Sequence, residues 1–346
     1  MTNPFISLII PCRNEEKFIG KCLETILEQD YLHLRQGFGG QAKENLEVLV
    51  VDGMSEDGTR EIIEKSKIQN PKCKIRLVDN PKKFTNFALN IGIKKAKGEI
   101  IMIMGAHAGY EKDYVSKCVK YLKEHDADNV GGVMKTRPAK NTLFARAIAL
   151  VLSHSFGAGG SYFRTGSAKP RWVDTVFGGC YKREVFDKVG LFNEKLFRSQ
   201  DFEFNKRLRK AGGKILLLPE ITVYYYPSST FLAFLKHNFN DGFWVTYPLK
   251  FGIKIFALRH LLPLFFASGL IVLLLFSLLS DIFSSLFFLV IFLYVLITCF
   301  FGLKIALKEK DFRLIIILPL VFANRHFGYG TGSILGLLEK WKTEKK

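Results

Sequence analysis

The Ile-rich apolar run Phe5–Ile10, stopped by Pro11, has the length and β-branched content of a buried strand. Within Glu15–Glu28, Phe18, Ile19, Cys22, Leu23, Ile26 and Leu27 then recur at helical spacing. Glu47–Val51 reads as a second strand ending at Asp52-Gly53. A helix over Glu56–Lys67 follows, with Ser55 or Asp57 as its cap. Strand Lys74–Val78, helix Phe84–Lys95 and strand Glu99–Met104 repeat the cycle. This alternation predicts an α/β fold with a mostly parallel sheet covered by helices. Ligands of such sheets sit at the carboxyl ends of strands, here Pro11–Glu16, Asp52–Thr59 and Gly105–Tyr110.

Leu32–Ala42 breaks the cycle. It is Gly-rich, lacks periodicity and precedes a strand, so it reads as a surface insertion and not as a phosphate loop.

Beyond residue 260 the pattern changes. Leu261–Leu279 and Ile282–Leu303 carry no charge, and each is long enough to cross a bilayer. Arg259 and His260 precede the first span, and Lys304, Lys308, Lys310 and Arg313 follow the second. That asymmetry predicts a hairpin with both ends in the cytosol. Leu314–Leu338 starts apolar but meets Pro319, Asn324-Arg325-His326 and then Gly328, Gly330 and Gly332, which predicts a re-entrant element or a third span. Residues 231–260 interleave aromatic side chains with Lys236, His237, Lys250 and Lys254, as an amphipathic interfacial segment does. The expected organisation is a catalytic domain over 1–230, the interfacial segment 231–260, a membrane region 261–338 and a basic tail 339–346.

The net charge of +18 calls for an anionic partner or surface. Lys and Arg are dispersed and no nucleic-acid motif occurs, so acidic lipid headgroups and a phosphate-bearing ligand are expected rather than nucleic acid. The six cysteines show no paired spacing, as expected of small core fillers in a reducing compartment. Met1-Thr2-Asn3-Pro4 has no basic n-region, so the N-terminus is expected to stay cytosolic. No Gly-x-Gly-x-x-Gly follows the first strand, which sets aside a nicotinamide oxidoreductase.

Five motifs occur in order. They are Pro11-Cys12-Arg13-Asn14-Glu15-Glu16, Val50 through Thr59, Ala88-Leu89-Asn90 through Glu99, Phe177-Gly178-Gly179-Cys180-Tyr181, and Ser199-Gln200-Asp201 through Leu208. Together they resemble the family 2 glycosyltransferases with a GT-A fold, and within them the membrane-attached succinoglycan ExoA-like group. The resemblance covers about residues 5–245.

It implies an inverting transfer from a nucleotide-diphosphate sugar, a UDP-sugar first of all, to a lipid-linked saccharide at the inner membrane, with a cytoplasmic catalytic domain. Pro11, Arg13, Glu15, Asp52, Asn90, Gly105 and Ala106 would bind the nucleotide-sugar, Glu15 at the ribose and Asp52 at the base. The group's Asp-Ala-His reads Gly105-Ala106-His107 here, so one carboxylate is missing. His107 would ligate a divalent cation, Mn²⁺ or Mg²⁺, and imidazole favours the former. Asp201 would be the general base. Gly178, Gly179, Gln200 and Trp244 would meet the acceptor. The processive Gln-x-x-Arg-Trp motif is absent near Lys236-His237-Asn238, which implies one sugar per encounter. Two alternatives stay open: transfer onto polyprenyl phosphate itself, and a non-catalytic scaffold that only binds nucleotide-sugar.

Overall fold

The computed structural model describes residues 3–33, 45–70 and 73–339. Most of the expected insertion 32–42 and of the basic tail 339–346 lies outside them. In chain order the elements are β1 (Ile6–Cys12), α1 (Ile19–Leu27), β2 (Leu46–Asp52), α2 (Thr59–Gln69), β3 (Lys74–Asp79), α3 (Thr85–Lys95) and β4 (Ile100–Ile103). Next come β5 (Ala108–Tyr110), α4 (Tyr114–Glu124), β6 (Asn129–Thr136), α5 (Leu143–Ser153), α6 (Ser155–Ala158), α7 (Tyr162–Thr165), β7 (Arg171–Trp172) and β8 (Gly179–Lys182). The chain finishes with α8 (Glu184–Val189), α9 (Gln200–Lys210), β9 (Ile215–Tyr225), α10 (Phe231–Thr246), α11 (Leu258–Phe276), α12 (Asp281–Glu309) and α13 (Leu314–Leu338).

Two compact units form. The first comprises residues 1–135 and 166–225, the second 136–165 and 226–346.

In the first unit the strand order is β3-β2-β1-β4-β8-β6-β9-β5, with β7 on β9. The β3-β2-β1-β4 half is parallel, and β8 joins β4 antiparallel. All seven residues of β2 are buried, as a parallel strand covered on both faces requires. On α1, Ile19, Cys22, Leu23 and Ile26 form the buried stripe that sequence periodicity marks. The helix starts at Ile19, later than the sequence predicts, because Asn14, Glu15 and Glu16 are drawn into hydrogen bonds with Ser55, Thr59 and Asp57.

In the second unit, α10 and α13 pack backbone to backbone. A Cβ on Gly242 would run into the Tyr329 carbonyl oxygen, and one on Gly332 into that of Phe239. Asn238 Nδ2 donates to Asn324 Oδ1 at 2.9 Å, and Thr246 Oγ1 to the Ser333 carbonyl at 2.7 Å. The segment read as lying along a membrane surface therefore contains a helix held by α13. The unit also includes Thr136–Thr165, which the sequence reading placed in the catalytic domain.

Over 314–338, read as a re-entrant element or a third span, α13 is one continuous helix. Pro319 is accommodated against Gly302 of α12, where a Cβ would come within 3.3 Å of Pro319 Cδ. Asn324, Arg325 and His326 all find polar partners.

Helices α11 and α12 are long and apolar enough to cross a membrane. Their large apolar side chains are mostly exposed, including Leu262, Phe265, Ile282, Phe288 and Phe292. An uncovered surface of that extent is not that of a buried core pair, and it associates the chain with a membrane.

Candidate active site

The carboxyl edge of the parallel strands carries the site. After β1, the chain leaves Cys12 through Arg13 and Asn14, with Asn14 at positive φ. That turn is stapled to the loop after β2. The Asn14 N–H donates to Ser55 Oγ at 2.9 Å, and the Glu56 N–H to Asn14 Oδ1 at 3.0 Å. The Glu15 N–H donates to Thr59 Oγ1 at 2.7 Å. Asp57 Oδ1 in turn accepts from the Thr59 N–H at 3.1 Å, a turn role of the kind the sequence predicts for it. The Glu15 side chain is thereby aimed across β1 toward the end of β4. There Glu15 Oε1 lies 3.1 Å from His107 Nδ1. A carboxylate can only accept, so Nδ1 is the donor, and in a neutral ring Nε2 is the nitrogen that keeps its lone pair. The His107 side chain is 40% exposed, and its ring tilts against Tyr225 at 5.5 Å between centroids. Imidazole and carboxylate both remain reachable from solvent.

Gly105 is held by its backbone: its N–H donates to Tyr110 Oη at 2.6 Å, and Cys22 Sγ donates to its carbonyl. A Cβ there would meet Phe177 Cζ at 3.3 Å. The position that lacks the group's first Asp is thus closed over by an aromatic ring. Ala106 is buried. Burial, followed by the Glu15 charge, pushes the Cys22 thiol up to about 12. Burial, then Asp52 and Glu15, likewise raises the Cys12 thiol. Both therefore stay protonated and do no nucleophilic work.

Asp52 is placed differently from what the resemblance implies. It is completely buried. Oδ2 accepts from the Ser55 N–H at 3.0 Å and from Arg60 Nη1 at 2.7 Å, while Oδ1 accepts from Ser55 Oγ and faces Cys12 Sγ. Arg60 Nη2 continues to Asp79 Oδ1 at 2.8 Å. The carboxylate's acceptor sites are filled from within the chain, so in this arrangement Asp52 orders the 52–60 loop and no face is open to a base.

Asn90 is also consumed internally. Its Nδ2 donates to the Phe192 carbonyl at 2.9 Å and to Glu194 Oε1 at 3.0 Å, and its Oδ1 accepts from the Phe192 N–H. It ties α3 to the segment before α9. Gly178 and Gly179 have positive φ, and a Cβ on either would strike the Ile103 carbonyl or the Tyr181 ring. Their lack of side chains is explained by the tight entry of β8 beside β4, with no acceptor needed.

Asp201 occupies the first turn of α9, whose N-terminal dipole favours an ionised carboxylate. Its charge, after burial, raises the buried Tyr181 hydroxyl, which points toward the Gly178 carbonyl at 3.4 Å. Beside Asp201, Gln200 Oε1 is buried without a hydrogen-bond partner among the described residues. Glu203 and Arg207 pair as helix neighbours, and Arg207 also holds the Leu191 carbonyl. Trp244 lies on α10, in the other unit, edge-on to Phe243 and Tyr247. The sequence reading gave no role to Arg60, which holds Asp52, or to Tyr225, whose ring lies against His107 from far along the chain.

The profile of "Glycosyl transferase family 2" matches residues 7–190. The chain belongs to this family. It is 30% identical over 347 residues, 99% of each chain, to the dolichyl N-acetyl-alpha-D-glucosaminyl phosphate 3-beta-D-2,3-diacetamido-2,3-dideoxy-beta-D-glucuronosyltransferase of Methanococcus voltae. To the succinoglycan biosynthesis protein ExoA of Rhizobium meliloti it is 29% identical, over 70% of this chain and 69% of that one. In structure it is similar to the mannosyltransferase PcManGT from Pyrobaculum calidifontis, solved with GDP-Man and Mn²⁺. The TM-score is 0.58 at 20% identity, over 93% of this chain and 86% of that one, a likeness of fold alone. The GT-A fold and the glycosyltransferase class expected from the motifs are both borne out.

Proposed function

We propose that this glycosyltransferase moves a sugar, with inversion, from a nucleotide-diphosphate donor to a saccharide carried on a polyprenyl lipid, at a membrane that α11 and α12 cross. The reading rests on one conjunction. A Glu15–His107 pair at the carboxyl edge of β1 and β4 stands in a chain with two membrane-length helices, and a relative named for a dolichyl-linked substrate matches it end to end.

The donor diphosphate is placed beside Glu15 and His107, with Arg13 supplying charge and Glu15 Oε2 available to a ribose hydroxyl. The pair suits a divalent cation. A His ligand whose second ring nitrogen donates to a carboxylate is oriented and made more basic, and Nε2 is the nitrogen left over. Among the described residues no group of three His, Cys, Asp or Glu forms a cage. That suits Mg²⁺ or Mn²⁺ sites completed by phosphates and water. A bound cation would neutralise charge developing on the leaving diphosphate.

Asp201 takes the proton from the acceptor hydroxyl as that oxygen bonds to C1 and the diphosphate leaves from the opposite face. Gln200 orients the acceptor through its unpartnered oxygen. Both membrane ends would be cytosolic, with the catalytic unit on that side.

The test is product analysis. Full-length protein in detergent is given Mn²⁺, a panel of UDP- and GDP-sugars and a polyprenyl-phosphate-linked N-acetylglucosamine. A lipid-linked product heavier by one sugar is expected from one donor. A sugar joined directly to the phosphate of added polyprenyl phosphate would establish the alternative acceptor, and donor binding without product would leave only a scaffold.

A further inference from the structure

Within the second unit, α6, α11, α12 and α13 enclose a cavity of about 530 Å³. Its size falls in the range of small-ligand sites. The wall is mostly apolar, yet it carries Arg259, His260, Arg325 and His326, and among the described residues no Asp or Glu lines it. Two guanidiniums on a wall built from membrane-length helices are costly unless they have work to do.

The cationic side is fixed in place. Arg325 Nη1 donates to Asn238 Oδ1 at 2.6 Å and reaches Asp241 Oδ2 at 3.3 Å, and Nε reaches the Gly157 carbonyl at 3.3 Å. Its guanidinium also stacks 5.3 Å over Tyr329. Asp241 offsets part of this charge but is shared with His237 at 3.3 Å. His326 Nε2 donates to the Phe156 carbonyl at 2.9 Å and Nδ1 accepts from Tyr294 at 3.0 Å. That relay links α13 to α6 and α12. His260 Nδ1 accepts from the Ala257 N–H, which leaves a neutral ring's proton on Nε2. On the opposite side Gly157, Ala158, Gly159 and Gly160 leave room beside Arg259, with the nearest contact to a Cβ on Gly159 being Arg259 Cβ at 3.9 Å.

A preformed pocket that is cationic on one side and apolar elsewhere, opening among lipid-exposed helices, fits an amphiphile with a phosphate head. The geometry points to this cavity as the seat of a polyprenyl carrier's phosphate, with Arg259 and Arg325 on the phosphate and the first isoprene units along Leu262 and Ile297. The inference rests on the lipid-linked reading of the acceptor and gives that lipid a place.

The experiment uses full-length protein in detergent and farnesyl phosphate as probe, with farnesol, inorganic phosphate and phosphatidylglycerol as competitors. Farnesyl phosphate should bind at least about tenfold tighter than each competitor, since a charge-assisted hydrogen bond supplies that much. Arg259→Gln should weaken it by about tenfold or more. Leu262→Trp, which fills the pocket without removing charge, should weaken it too. Donor-nucleotide binding by the first unit should be unchanged in both variants, which reports that they fold. Wild-type affinity in both variants, or equal competition by inorganic phosphate or phosphatidylglycerol, would overturn the assignment. If both variants still glycosylate the lipid-linked saccharide at the wild-type rate and KM, the cavity is refuted while the acceptor reading stands. If wild-type protein glycosylates only lipid-free saccharides, the acceptor reading itself fails.

Discussion

His107 Nδ1 sits 3.1 Å from Glu15 Oε1, joining the end of β4 to the end of β1 across 92 residues of sequence. This contact makes Nδ1 the ring nitrogen that donates to the carboxylate. Glu15→Gln should therefore disturb the cation site without removing a ring. The Mn²⁺ concentration for half-maximal transfer should rise about 10–100-fold, with His107→Ala more severe. An unchanged Mn²⁺ titration in both variants would separate this pair from the cation.

Gly105 leaves the edge one carboxylate short of the related group. Gly105→Asp restores it, and only Phe177 has to give way, since its Cζ would lie 3.3 Å from the new Cβ. Mn²⁺ should then bind about tenfold tighter. Pairing the change with Phe177→Leu should strengthen the effect by relieving the contact. Isothermal titration with Mn²⁺ and nucleoside diphosphate reads both.

Asn90 should matter for stability and not for the donor. Asn90→Ala strands the Phe192 N–H and carbonyl and should cost about 1–3 kcal/mol, with donor affinity unchanged in the folded protein. Gly178→Ala should likewise cost about 1–3 kcal/mol, because its φ is +66° and the Ile103 carbonyl blocks a Cβ. Denaturant titration, read beside nucleotide binding, separates stability from affinity.

Cys12 and Cys22 should resist thiol reagents. Burial first, then nearby carboxylates, holds both thiols well above their ordinary range. A raised thiol pKa keeps the unreactive protonated form throughout pH 7–9. Alkylation followed by mass spectrometry should leave both unmodified across that window in the folded protein. Labelling that turns on at pH 8 would show that the β1 edge is more open than this.

The first half of the sheet was legible because each strand is an uninterrupted apolar run and each motif directly follows one. Glu15, His107 and Asp201 fall at the strand edge and helix start that the resemblance implies. The internal partners of Asp52 and Asn90 were not legible, because motif position says nothing about them. Only the fold brings Arg60 and Ser55 onto one carboxylate, and Phe192 and Glu194 onto one amide. The continuity of α13 through 324–326 was hidden for a related reason. Polar residues in an apolar helix look expensive until Asn238, Phe231 and Phe156 supply their bonds from far along the chain. The membership of Thr136–Thr165 in the helical unit has no local signature, since α5 carries the apolar pattern of any packed helix.

Asp201 carries the central claim, that this chain transfers sugar by a single displacement assisted by one carboxylate. The direct measurement is nucleoside diphosphate released with a lipid-linked acceptor present, for wild type and Asp201→Asn, beside donor affinity for each. A fall of about 10²–10⁴ in rate with donor affinity unchanged is the predicted result. Transfer at the wild-type rate by Asp201→Asn would contradict it and place the base elsewhere.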